Sequence, residues 1–314
     1  MGVETITLTD STSGATAHVL AGLGFNCFAL DLVYDGQPIP VIWSEAGFET
    51  GLHRASGSGN PILFPYPGRI RGQMLNWQGR EYPLEGDDSR GNALHGFVLT
   101  RPWRVIERAA DRVVGQFQAA VDDPQLLDRW PADFRITATY ELSEGELRTV
   151  YRVDNPDQRP LPCGLGLHPY FCVPLGGKAA NDCRVQLPVT KRWELVDMLP
   201  TGTTLPVENA ERFWAGLPFE DMAFDDVFAG LEFDEDLCTC RIVDPHSGLR
   251  LQVQFDRAFR ECVVYNPPHR EAVCIEPYTC VPNASELQAA GVDSGWRVLQ
   301  PGESFEGRMV VRLE

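Results

Sequence analysis

Five short strings in this sequence place an ionisable or hydrogen-bonding side chain among glycine, proline and aromatic residues. They are Asn60-Pro61-Ile62-Leu63-Phe64-Pro65-Tyr66-Pro67-Gly68-Arg69-Ile70, Leu94-His95-Gly96-Phe97, Gly164-Leu165-Gly166-Leu167-His168-Pro169-Tyr170-Phe171, Phe224-Asp225-Asp226-Val227-Phe228 and Ala272-Val273-Cys274-Ile275-Glu276-Pro277-Tyr278. Glu276 ends an apolar run just before a proline. A carboxylate there is costly unless it is paired or functional, which makes Glu276 the leading candidate for a general base. His168 is the single ionisable group in its string; Pro169 pushes it toward extended backbone and the rings beside it offer flat apolar surface. His95 stands next to a glycine that lets backbone or ligand approach closely, and alone it reads equally well as a core histidine. Arg69, presented by a turn, suits a surface ion pair, and Asp225 and Asp226, set between phenylalanines, suit a solvated turn as readily as a site. A base and an acid of this kind move protons at neutral pH.

Other chemistries lack their residues. There is no G-x-x-x-x-G-K-[ST] loop, no G-x-G-x-x-G between strand and helix, no H-E-x-x-H and no G-x-S-x-G elbow. Of the nine cysteines none forms a C-x-x-C pair, and Cys238 and Cys240, the nearest two, have no second pair at zinc-like distance. The expectation is free buried thiols, no metal and no cofactor.

The elements that must hold these residues alternate with period two, the mark of half-buried strands. Ile136, Ala138, Tyr140 and Leu142 share one face of a strand from Arg135 to Leu142; Ser143-Glu144-Gly145-Glu146 turns, and Leu147 to Val153 returns as the second strand of a hairpin. Leu249, Leu251, Val253 and Phe255 alternate with polar residues after a turn at Asp244-Pro245-His246-Ser247-Gly248, and Phe305, Met309, Val311 and Leu313 repeat the pattern at the C-terminus. Short helices are predicted at Asp122 to Arg129 and Ser285 to Ala290, the latter with Asn283 or Ser285 as N-cap. The 29 glycines and 24 prolines are spread along the chain instead of gathered in a linker. These features predict an all-β protein, a large antiparallel β-sandwich with a few short helices, in which residues 1–314 form a single domain.

Charge narrows the partners. The 44 acidic against 27 basic residues give a formal net charge of -17, and there is no long basic run, so phosphate backbones and anionic membranes are repelled. The longest apolar stretch, Val19 to Val33, is broken by Asn26 and Asp31 and is too short and polar to span a bilayer. The N-terminus has no basic segment followed by an apolar one, and a cytoplasmic setting is expected.

Taken in order, the strings resemble the aldose 1-epimerase, or galactose mutarotase, family. The likeness runs through Gly24-Phe25-Asn26, Pro67-Gly68-Arg69-Ile70, Leu94-His95-Gly96, Leu167-His168-Pro169-Tyr170-Phe171, Asp225-Asp226-Val227-Phe228 and Ile275-Glu276-Pro277, with 73 residues from His95 to His168 and 108 more to Glu276. The resemblance implies a large β-sandwich and interconversion of the α and β anomers of a free aldose such as glucose or galactose. It implies Glu276 as general base, His168 as general acid and His95 as a second active-site histidine. Arg69 and Asp225, with Asp226 one residue away, would hold sugar hydroxyls, and Asn60 and Tyr170 are further substrate-binding candidates. On this reading His168 is protonated near neutrality and Glu276 ionised, each favoured by the opposite charges around it. The implied partner is a small-molecule sugar, with the chain a monomer or homodimer. Three alternatives stay open: an epimerase of phosphorylated hexoses using Arg54, Arg71 and Arg90, a glycoside hydrolase pairing Asp225 with Glu276, and a non-catalytic sugar-binding protein on the same fold.

Overall fold

The alternating segments form two large antiparallel sheets in the computed structural model, which describes residues 4–314. One sheet has nine strands, in the order Arg104–Arg108, Arg112–Gln118, Arg135–Ser143, Glu146–Asp154, Ser304–Leu313, Arg250–Asp256, Leu237–Val243, Arg184–Gln186 and Leu217–Pro218. The other, of twelve strands, runs from Thr5–Thr9 through Thr16–Leu20, Asn26–Tyr34, Gln37–Ile42, Tyr170–Cys172, Ala272–Tyr278, Glu261–Tyr265, Asp225–Leu231 and Val189–Val196 to Leu199–Pro206, with Gly166–Leu167 and Ile62–Leu63 attached at its centre. The predicted hairpin closes Ser143 on Glu146. Its two turn residues, Glu144 and Gly145, both have positive φ, as the tightest hairpin turn requires. Ile136, Ala138, Tyr140 and Leu142 are all fully buried, so the alternation marks the core face.

Aromatic side chains join the two sheets. Phe25, from the twelve-stranded side, stacks on Tyr140 at 5.3 Å, and the Tyr140 hydroxyl donates to the Phe25 carbonyl at 3.1 Å. Burying rings of this size supplies much of the cohesion, roughly 1.5 to 3 kcal/mol for each fully buried large side chain.

One helix differs from expectation. Asp122 to Arg129 is not continuous: a single α-turn, Ala119–Asp122, gives way to a 3₁₀ segment, Pro124–Asp128, because Pro124 has no N–H to continue the ladder. The second lies at Ala284–Ala289 and Asn283 is its N-cap residue, but the Asn283 side chain does not cap it. Its carbonyl oxygen accepts from the Arg71 backbone N–H and its amide donates to Glu286, tying the helix to the loop behind Arg69. All nine cysteines are free thiols and none is exposed. No helix among the described residues is long and apolar enough to cross a membrane.

Candidate active site

Strand Ala272–Tyr278 positions the site. Val273 and Ile275 turn into the main core, and by strand alternation Cys274, Glu276 and Tyr278 face the other way. Register then fixes their neighbours. Tyr170, Cys274, Tyr265 and Asp225 lie opposite one another across four adjacent strands, and Glu276, Val263 and Val227 make the next row. His168 comes two residues before Tyr170; Pro169 keeps it extended, and its N–H donates to the Pro61 carbonyl at 3.0 Å. The small ladder of Arg69–Ile70 with Ala93–Leu94 brings Arg69 and His95 onto the opposite wall. His95 and Gly96 have φ of 67° and 72°, a left-handed pair that aims the imidazole inward.

These walls enclose a cavity of about 540 Å³, within the range of small-molecule sites. Glu276 lines it and is 1% exposed. One carboxylate oxygen accepts from the Tyr278 hydroxyl at 2.8 Å, and the other lies 3.5 Å from His168 Nε2. His168 stacks flat on Tyr170 at 4.9 Å and meets His95 edge-on at 5.4 Å. The Nδ1 atoms of both histidines are buried without a partner, leaving hydrogen-bonding capacity in the wall. The Tyr170 hydroxyl donates to the Ser56 carbonyl, so Tyr170 offers the cavity its ring.

Arg69 Nε lies 3.0 Å from Asp88, and another of its guanidinium nitrogens 4.0 Å from Asp225. Burial opposes ionisation of Asp88, but hydrogen bonds from Asn92, the Arg90 N–H and Arg69 outweigh it and hold the carboxyl at about 2. Asp88 is thus a fixed anion that orients Arg69. Asp226 is not on the wall; it faces Arg192 at 3.9 Å. Asn60, expected to bind substrate, lies elsewhere. It is fully buried and not on the cavity wall; its amide donates to the Tyr151 hydroxyl and its backbone N–H to Asn26, so its polarity serves the interior.

The pKa shifts of the pair run against expectation. Burial pushes His168 down to about 3, with Arg54 and Arg69 adding to the effect. Burial likewise raises Glu276 well above the ordinary carboxylate value; the Tyr278 hydrogen bond opposes this, and the Asp225 charge adds to it. Desolvation outweighs the charge partners and disfavours the charged form of both groups. His95 is neutral, lowered by burial and then by His168 and the two arginines. Sequence reasoning missed Asp88, Tyr278 and Tyr265. Tyr278 had a signal, since a residue two positions from Glu276 on a strand shares its face; the Asp87-Asp88 loop had none.

Similar proteins share this architecture. A galactose mutarotase-like protein from Clostridium acetobutylicum superposes with a TM-score of 0.87 at 21% identity, over 100% of this chain and 99% of its own. The GalM/aldose epimerase homologue from C. elegans gives 0.81 at 18% identity, over 100% and 99%. Among curated proteins, the uncharacterized protein YphB of Escherichia coli is 24% identical over 93% of this chain and 98% of its own length. The family model for aldose 1-epimerase matches residues 33–312, and the chain belongs to the aldose 1-epimerase family.

Proposed function

We propose that the protein is a mutarotase, interconverting the α and β anomers of a free aldose, with Glu276 and His168 exchanging protons with the sugar. The observation that carries this reading is the 3.5 Å approach of His168 Nε2 to Glu276 on the wall of a sugar-sized cavity. In the one-proton form of the pair with the proton on His168, 3.5 Å from the Glu276 carboxylate, Glu276 takes the proton of the C1 hydroxyl while His168 gives one to the ring oxygen. The bond from C1 to the ring oxygen breaks and the aldehyde forms. After rotation about the C1–C2 bond, closure runs the same transfers backwards and yields the other anomer. Ring opening leaves Glu276 protonated and His168 neutral, the uncharged forms that burial favours. His95, neutral, and Arg69, held by Asp88, would position the sugar oxygens, with Asp225 accepting from a hydroxyl.

A neutral sugar fits better than a phosphorylated one. Of the three flanking arginines only Arg54 lines the cavity, while Arg71 pairs with Glu286 at 3.0 Å. Asp225 is also engaged by Arg69 at 4.0 Å, which suits hydroxyl binding better than attack on a glycosidic bond. Polarimetry of freshly dissolved α-D-glucose and α-D-galactose, with glucose 6-phosphate alongside, tests the reading. No acceleration with any of them rejects it.

The pair keeps a single proton between the lowered value of His168, about 3, and the raised value of Glu276. As pH falls through the lower value a second proton blocks the base; as pH rises through the upper one the last proton, and with it the acid, is lost. The expected kcat/KM profile is a broad plateau whose acid limb lies well below the usual histidine range. An acid limb centred near 6.5 would contradict this.

Asp88→Asn removes the anion that orients Arg69 and leaves the acid–base pair intact. KM is expected to rise about tenfold with a smaller change in kcat, because a lost binding contact costs roughly 1.4 kcal/mol per tenfold. Steady-state rates over a range of aldose concentrations check the split, and an unchanged KM would remove Asp88 from the site.

A further inference from the structure

Cys274 has no part in the acid–base scheme, yet it shares the sheet face of Glu276, two residues away. One donor atom each from His168, Cys274 and Glu276 lies within 4.8 Å of the other two, and all three residues are buried. An imidazole nitrogen, a sulfur and a carboxylate oxygen are the donors zinc takes, and three protein ligands leave a fourth position open. Zinc bond lengths of about 2.0 to 2.3 Å require donor separations of roughly 3.3 to 3.6 Å. His168 and Glu276 already stand at 3.5 Å, and Cys274 would close the remainder by side-chain rotation.

Charge and support agree with this geometry. A divalent cation with one thiolate, one carboxylate and one neutral imidazole sums to zero, so binding adds no net charge to a buried place. The Tyr278 hydroxyl fixes Glu276 and the Tyr170 ring fixes His168 before any ion arrives, as outer groups do around metal ligands. A thiol among the donors selects a borderline-soft ion over Mg²⁺ or Ca²⁺, which take oxygen.

We propose that His168, Cys274 and Glu276 form an inhibitory site for a borderline-soft divalent cation, with Zn²⁺ as the fitting ion. Bonds form from one imidazole nitrogen, the Cys274 sulfur and a Glu276 oxygen to the metal, and the displaced thiol and carboxyl protons leave to solvent. Occupancy removes both proton-transfer groups at once. Metal binding stands apart from the proposed mutarotation; only the inhibition rests on it.

Titrating the reduced, metal-free protein with Co²⁺, a spectroscopic stand-in for Zn²⁺, tests binding without any assay of activity. The expected result is one equivalent taken up with a thiolate-to-cobalt absorption band in the near ultraviolet, bleached on adding Zn²⁺. Cys274→Ala should lose that band, and the Zn²⁺ needed to halve anomerisation should rise at least about 100-fold. The buried thiols Cys238, Cys240 and Cys262 remain in that variant, so a band that survives it comes from elsewhere and overturns the site. His168→Gln is the second variant, expected to weaken Co²⁺ binding at least about tenfold; unchanged affinity, or no thiolate band in the wild type, also overturns it. Zinc bound with anomerisation undiminished overturns the inhibitory role.

Discussion

Glu276→Gln is expected to lower kcat/KM for anomerisation on the order of 10³-fold, about 4 kcal/mol of transition-state stabilisation, and at the same time to make the protein more stable at neutral and alkaline pH. The rate loss follows because glutamine cannot accept the C1 proton, and His168 then has no partner to complete the exchange. The stability gain follows from burial. The Glu276 carboxyl is 1% exposed and its folded-state value is raised above that of the unfolded chain. Between the two values the folded state holds a proton the unfolded state has released, so stability falls as pH rises through that window. Glutamine has nothing to release, and its carbonyl can still accept from the Tyr278 hydroxyl, now 2.8 Å from Glu276. Thermal melts of both proteins at pH 4 and pH 8 check this: the variant's advantage should appear only at the higher pH. A carboxylate kept for structure gives the opposite result, since its removal destabilises. Unchanged activity, or lower stability at both pH values, would remove Glu276 as the base.

That contrast explains what could be read from the sequence. The hairpin Arg135–Ser143 with Glu146–Asp154 was legible because alternation has one physical cause, a sheet with one buried face. Glu276 was legible as a candidate because a carboxylate in an apolar strand is costly unless it has a use, and His168 because it stands alone among glycine, proline and aromatic residues. The same reasoning misread Asn60, whose amide answers the Tyr151 hydroxyl inside the core; a buried polar residue serves the interior as readily as a ligand, and sequence alone does not say which wall it faces. Asp88 was illegible because its role depends on Arg69, 19 residues away, folding back against it. The direction of the pKa shifts was illegible for a related reason. Opposite charges can be counted along a chain, but desolvation depends on how completely the fold excludes water around His168 and Glu276.

The second large effect is expected at a residue with no side chain. Gly96→Ala should destabilise the protein by roughly 2 to 5 kcal/mol, the sum of about 1 to 2 for a left-handed alanine and about 1 to 3 for overpacking. At Gly96 φ is 72°, and an added Cβ would lie 2.2 Å from the Phe64 carbonyl oxygen, 2.4 Å from its carbon and 2.9 Å from Pro65 nitrogen. All three are backbone atoms, fixed because Phe97 N–H donates to that same Phe64 carbonyl at 2.8 Å. No side chain can swing aside to make room, so the turn itself has to move, and His95 moves with it. Misplacing a positioning group by about 1 Å costs on the order of 10²-fold in rate, so the folded fraction should also lose activity. Gly91→Ala separates the two causes: φ there is 84°, yet nothing lies within 4 Å of the added carbon, so only backbone strain applies. Comparing the Tm and the anomerisation rate of the two variants is decisive. Equal losses in both would mean that strain alone operates and that close packing at Gly96 does not place His95; a loss of activity confined to Gly96→Ala ties the turn to the chemistry.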